Sequence, residues 1–252
     1  LQSALASLLV PFGLAAQGTA QVSTTFLTPT ADTTIYDVAS GQRSSGAGTL
    51  AVFGNTGIGA NGTSRRYLLR FDVASAIPAG ATILSVDLSL QIERNNNGSQ
   101  AASLTRITSP WSEGSSNSDA GAGQGAVSQV GDASWGYASF PTTLWANPGG
   151  DLAAAPTATN RQVLPGIPEQ VAWAGTLDPA MIADVQSWLD QPNANHGWAV
   201  RGLETQASTA YLVRTREFVG SEPLLTITYT PPANPATLAA FGNGCSKPGI
   251  PE

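Results

Sequence analysis

From Thr82 to Ile92 the chain reads TILSVDLSLQI, and Leu84, Val86, Leu88, Leu90 and Ile92 alternate with Ser85, Asp87, Ser89 and Gln91. Side chains of a strand leave opposite faces in turn, so this row describes a strand with one dry face and one wet face. Each large aliphatic side chain on the dry face contributes at most about 1.5–3 kcal/mol once covered. A second layer must therefore lie against it. The stretch just before, Arg65 to Val73 (RRYLLRFDV), reads as another strand, joined to the first through a turn at Ser75-Ala76-Ile77-Pro78-Ala79-Gly80. The expected fold is all-β: a jelly-roll-like antiparallel β-sandwich with one short helix.

A chain of 252 residues is long enough to bury a real core, and with 27 glycines and only 11% charged residues it has the profile of a strand-and-turn protein. The formal net charge is -6, and Lys247 is the only lysine among the 11 basic residues. There is thus no basic footprint for nucleic acid or anionic lipid. A single cysteine, Cys245, excludes an internal disulfide framework. Leu5 to Ala16 is an apolar run followed by Gly18-Thr19-Ala20, which resembles the end of a signal peptide. Residues 1–20 are expected to be a signal-peptide remnant cleaved after Ala20, lacking the basic n-region and initiator Met. The alternative is a buried segment of the mature domain. No other run approaches the roughly 18 apolar residues of a membrane span, so no spanning segment is expected.

Val22 to Asp37 reads as a first strand in two pieces broken at Pro29, and Thr49 to Phe53 as a short strand. Ala102 to Thr108 returns after the Asn95-Asn96-Asn97-Gly98 turn. The texture then changes from about residue 112 to 168, which is rich in Gly, Ser and Pro and holds a strand at Ser134 to Phe140. A long irregular insertion of this kind is either a ligand-contacting loop or surface ornament. The helix begins at Asp178 as N-cap with Pro179 in its first position, and carries an apolar stripe of Met181, Ile182, Val185, Trp188 and Leu189 before Pro192. Trp198 to Gly202, Thr209 to Arg216 and Leu224 to Tyr229 supply the closing strands. The domain is expected to span 21–231, with 232–252 as a tail or linker toward further domains.

Taken together, certain residues resemble a known family. They are Ala31-Asp32-Thr33-Thr34-Ile35-Tyr36, Arg66-Tyr67-Leu68-Leu69-Arg70-Phe71-Asp72, Ile77 to Ile83, and Arg106 to Gly114 with its Pro110-Trp111-Ser112-Glu113. Gly131 to Trp135, Pro148-Gly149-Gly150-Asp151, Val185 to Leu189, His196-Gly197-Trp198 and Thr215-Arg216-Glu217 complete the set. In this order the chain resembles the DNRLRE-type domain of secreted bacterial proteins, a relative of carbohydrate-binding module family 96. The resemblance covers roughly Thr25 to Thr230. It implies an exported, extracellular or cell-surface sandwich without catalytic machinery, attached to larger surface proteins or to polysaccharide-degrading enzymes.

The residues themselves offer little chemistry. His196 is the sole histidine and no G-x-S-x-G elbow exists, so a serine triad cannot be assembled. One Cys and one His cannot build a zinc site. Glu113, Asp119, Asp132 and Asp151 lie in or beside the insertion, where carboxylates act as a catalytic pair, cap turns, or hold a hard cation. No repeat supports the last. No catalytic residue, metal ligand or cofactor is assigned, and a structural calcium ion stays an open alternative without named ligands. Arg66 and Arg70 share a strand face, as do Arg214 and Arg216, and their forks either grip an acidic polysaccharide or pair internally with Glu204 and Glu217. Trp188 and Trp198 belong to the core, and Trp111 reads the same way. Trp135, Tyr137 and Trp145 in the insertion are expected to be accessible and to stack on sugar rings. The expectation is a non-catalytic module that binds polysaccharide through Trp135, Tyr137 and Trp145, with Arg66, Arg70 and Glu113 as polar partners. A structural or adhesive module without saturable sugar binding is the alternative.

Overall fold

Two antiparallel sheets close over the alternating row. The structure, a computed structural model, describes residues 21–57, 64–95, 101–119, 123–164 and 169–232. Among them the early strands are β1 (Ser23–Leu27), β2 (Ala31–Tyr36), β3 (Arg43–Ser45), β4 (Leu50–Asn55) and β5 (Ser64–Arg70). The one-turn helix α1 (Val73–Ala76) leads to β6 (Thr82–Asn95), β7 (Ala102–Arg106), β8 (Ala126–Val127), β9 (Tyr137–Ser139) and β10 (Thr143–Leu144). Then come β11 (Gln162–Leu164), β12 (Gln170–Ala174), α2 (Ala180–Asp190), β13 (Trp198–Gly202), β14 (Tyr211–Arg214) and β15 (Leu224–Thr230). The expected leader (1–20) and tail beyond Pro232, with Cys245, lie outside the described residues.

β6 is the spine of the first sheet. β12 and then β11 lie along one side of it, while β15, β1 and β14 lie along the other. The second sheet runs β8, β3, β2, β5, β13, β7. β4 turns the corner between them: Leu50 to Phe53 pair with β14, and Gly54 and Asn55 pair with Arg65 and Ser64 of β5. β5 and β6 therefore sit in opposite sheets, and α1 carries the chain from one to the other. Tyr67, Leu69 and Phe71 meet Val86, Leu88, Leu90 and Ile92 in the main core. Trp173, Trp188 and Trp198 are wholly buried there.

One member of the row departs from it. Leu84 is 44% exposed, whereas Ile83 and Val86 are buried. Thr228 faces Ser85 but the next residue, Tyr229, faces Ile83, so Leu84 is the extra residue of a β-bulge. A bulge turns two successive side chains to one face, and the core contact passes from Leu84 to Ile83. The helix also starts differently. The Asp178 carboxylate accepts from Thr159 N, Asn160 N and Asn160 Nδ2, so it fastens the preceding chain and caps nothing. Met181, Val185, Trp188 and Leu189 are buried as the stripe requires, and Ile182 is partly so.

The largest departure concerns the insertion. Every residue of β2 is buried, which happens when both faces of a sheet are covered. The second cover comes from the insertion and its flanks. Ala31, Ile35, Leu68 and Ala199 on the outer face of the second sheet pack against Ile107, Trp111, Ala133, Ala138 and Trp145, with Trp135 and Leu152 at the margin. The molecule is thus a sandwich with a third, thinner layer on one side. Asp132, fully buried, holds this layer by accepting from Ser44 Oγ (2.9 Å), Ser115 N (2.7 Å) and Gln129 N (2.7 Å). Gly114 has φ of +80°, and any Cβ there would collide with the Asp132 carboxylate.

Candidate functional site

Burial decides which expected contact residues are free to meet a ligand. Trp145 is only 5% exposed, and its Nε1 donates to Ser134 O at 2.8 Å. The expectation that it is accessible is therefore corrected: an indole is the largest apolar body in the insertion, and the outer face of the second sheet needed covering. Trp111 is buried likewise, with Nε1 donating to His196 O at 2.8 Å. Tyr137 is half-buried, its ring edge-on to Phe140 with centroids 5.1 Å apart.

Trp135 is half-buried and one face is already occupied. The Arg66 guanidinium lies 4.6 Å from its ring centroid. That guanidinium also donates from Nε to Glu204 Oε1 (2.8 Å), from Nη2 to Glu204 Oε2 (2.9 Å) and from Nη1 to Gly149 O (2.7 Å). Gly149 has φ of +90°, and a Cβ there would come within 2.6 Å of Arg66 Nη1 and 2.9 Å of the Trp135 ring. Arg201 joins Glu204 from the other side at 3.0 Å. Burial pushes the Glu204 carboxyl up, but hydrogen bonds and charge from Arg66 and Arg201 outweigh it and hold it below its ordinary value. Arg66 is the clamp that seats the third layer, as the internal-pairing alternative has it. Arg214 is tied to Glu93, Gln91 and Ser221, and Arg216 to Glu113 and Glu217.

Arg70 is different. It shares the outer face of β5 with Arg66, flanking Leu68, yet among the described residues its guanidinium has neither an ion pair nor a hydrogen bond. It rests over Trp111, 5.4 Å from the ring centroid. In front of it opens a depression of about 320 Å³ lined by Thr30, Arg70, Phe71, Asp72, Pro192 and Asn195. Asn195 Nδ2 is fixed by Phe71 O at 2.7 Å, and Asp72 Oδ1 accepts from Ser75 N at 3.2 Å at the start of α1. Burial and then the Arg70 charge both lower the His196 pKa below its ordinary value. A second hollow, about 150 Å³ beside Arg94, is lined mainly by Val52, Ala210, Tyr211 and Leu212. The Arg70 depression is larger, and its volume is at the lower end of the roughly 300–1,000 Å³ of small-molecule sites.

The remaining carboxylates of the insertion are occupied with backbone amides and neighbouring side chains. Asp119 Oδ1 accepts from Thr49 N, and Asp151 accepts from Asn147 N and Ser109 Oγ. Glu113 is drawn inward, accepting from Asp32 N at 2.8 Å and from Arg216 Nε at 2.6 Å. Of the six expected contact residues, Trp145 is buried and Tyr137 packs on Phe140, and the other four separate into three places: Arg66 with Trp135, Arg70 over Trp111, and Glu113 with Arg216. Sequence reading missed Thr30, Asp72 and Asn195, which converge on Arg70 from the β1–β2 connection, the start of α1 and the turn after α2. Asp72 and Asn195 both stand beside recognisable turns, and that is the one signal that pointed to them. No protein-family model matches the chain, and no curated protein matches it.

Proposed function

We propose that this chain is an exported, non-catalytic β-sandwich module of the DNRLRE type that binds an acidic polysaccharide through the depression around Arg70. The observation that carries the reading is an arginine fork that, among the described residues, makes no ion pair and faces an open polar hollow whose one carboxylate, Asp72, is engaged at the start of α1. A guanidinium offers two parallel N–H donors that match a uronate carboxylate, and Trp111 beneath it restrains the fork. Thr30, Asp72 and Asn195 supply groups of the kind that meet ring hydroxyls. Affinity electrophoresis through alginate and polygalacturonate gels, with neutral glucan gels as controls, tests this. Retardation by the polyuronates alone, weakened by salt and abolished in Arg70→Gln, is expected. Equal migration in every gel refutes it.

The second reading, a structural or adhesive module, is favoured by one finding: Trp145 is buried and Trp135 is covered by Arg66. It predicts no glycan retardation, together with concentration-dependent self-association in light scattering.

A further inference from the structure

Asp32, Glu113 and Glu217 each bring a carboxylate oxygen into a group whose members lie within 4.8 Å of one another. They arrive from β2, from the start of the insertion and from the turn after β14. The cation beside them is Arg216. Its Nε meets Glu113 Oε1 at 2.6 Å and Glu217 Oε1 at 3.0 Å, and its Nη2 meets Glu113 Oε2 at 2.9 Å. One guanidinium against three carboxylates leaves the ionised group short of two positive charges.

Acidity alone does not make a site. The decisive atoms are Asp32 Oδ1 and Glu217 Oε2, which are buried and have no hydrogen-bond partner. Asp32 is wholly inaccessible, and only its other oxygen is satisfied, by Tyr67 OH at 2.7 Å and Arg216 N at 2.9 Å. A buried carboxylate oxygen without a partner is among the most costly things a fold contains. It requires a cation, a donor or a proton. Arg216 already takes both oxygens of Glu113 and the outer oxygen of Glu217, so the two orphaned atoms are those that Arg216 does not reach.

We propose that Asp32, Glu113 and Glu217 form a divalent-cation site whose ion is calcium. The ligands are all carboxylate oxygens, without nitrogen or sulfur, which selects hard cations over zinc or copper. They stand on a strand, a loop and a turn rather than on a preformed octahedron, and calcium tolerates such irregular geometry better than magnesium. The ion neutralises the missing charge and cross-links the second sheet, the root of the insertion and the turn after β14. The site is separate from the Arg70 depression, and its test needs no polysaccharide.

The test uses the full chain after EDTA treatment and dialysis. Calorimetric titration with CaCl₂ is expected to give one ion per chain, Tb³⁺ is expected to show sensitised luminescence that Ca²⁺ displaces, and MgCl₂ is expected to bind at least tenfold more weakly. The melting temperature should rise with Ca²⁺ and stay unchanged in KCl of equal ionic strength, since an ion that binds only the folded state stabilises it by mass action. Asp32→Asn should lose binding at least tenfold. Glu217→Gln, on a partly exposed side chain, should do the same and keeps the test sound if Asp32→Asn fails to fold. The proposal is overturned if no saturable Ca²⁺ binding occurs up to 10-fold above millimolar range, or if Glu217→Gln binds as wild type. It is equally overturned if acid stabilises the chain while Ca²⁺ does not, the mark of a proton shared between Asp32 and Glu217.

Discussion

Replacing Trp145 with alanine removes the largest side chain that the insertion presses onto the outer face of the second sheet. Trp145 is 5% exposed and shares its cluster with Ile35, Leu68, Ile107 and Trp111, and its Nε1 bond to Ser134 O is lost as well. A buried Trp→Ala substitution costs about 3–5 kcal/mol, from lost transfer energy and the cavity left behind. For a chain of this size each kcal/mol lowers the melting temperature by about 2–4 °C, so a fall of about 6–20 °C is expected. Urea denaturation followed by far-UV circular dichroism and by tryptophan fluorescence gives the free energy directly. Leu144, its neighbour in sequence, is 66% exposed, and Leu144→Ala should change stability by no more than about 0.5 kcal/mol. If Trp145→Ala costs no more than Leu144→Ala, the third layer does not exist as described.

The bulge in β6 makes a paired prediction: Leu88→Ala should cost about 2–5 kcal/mol and Leu84→Ala no more than about 0.5 kcal/mol, measured by the same denaturation. Asp132→Ala removes the acceptor from the partly buried amide bonds of Ser115 and Gln129, at about 1–3 kcal/mol in all, so limited proteolysis should cut the insertion first. Because the Glu204 carboxyl is held below its ordinary value in the folded chain, its stabilisation is complete above the unfolded carboxyl pKa and is lost as pH falls through the folded one. The stability gap between wild type and Glu204→Gln should thus be full at pH 6–7 and shrink as acid is added below about pH 4.5; a gap independent of pH contradicts the Arg66–Glu204–Arg201 arrangement.

The alternating row from Val86 to Ile92 was enough to predict a strand with a covered face, and the stripe from Met181 to Leu189 enough to predict a helix laid on the core. Both signals are local, because period 2 and period 3.6 are set by the backbone. The failures involve partners distant in sequence. Nothing within TILSVDL reveals that Tyr229 skips a residue opposite Ile83 and so turns Leu84 outward. Gln170 to Ala174 is a run too short to declare itself, and it becomes β12 only because β6 offers it an edge. Trp145 looked free because glycine and proline surround it. What buries it is the apolar line of Ala31, Ile35, Leu68 and Ala199, spread over three strands. The arginines were legible by face and not by fate: Arg66 and Arg70 do share one side of β5, but Glu204 lies 138 residues from Arg66 and claims only the first.

That difference between two arginines of one strand is also where the account is most exposed. Calorimetric titration of an oligouronate into wild type, Arg70→Gln and Trp135→Ala separates them. Wild type and Trp135→Ala are expected to bind with affinities within about threefold of each other, and Arg70→Gln is expected to lose at least tenfold. Binding that survives Arg70→Gln and disappears in Trp135→Ala would place the ligand on the insertion instead and contradict the assignment of the site.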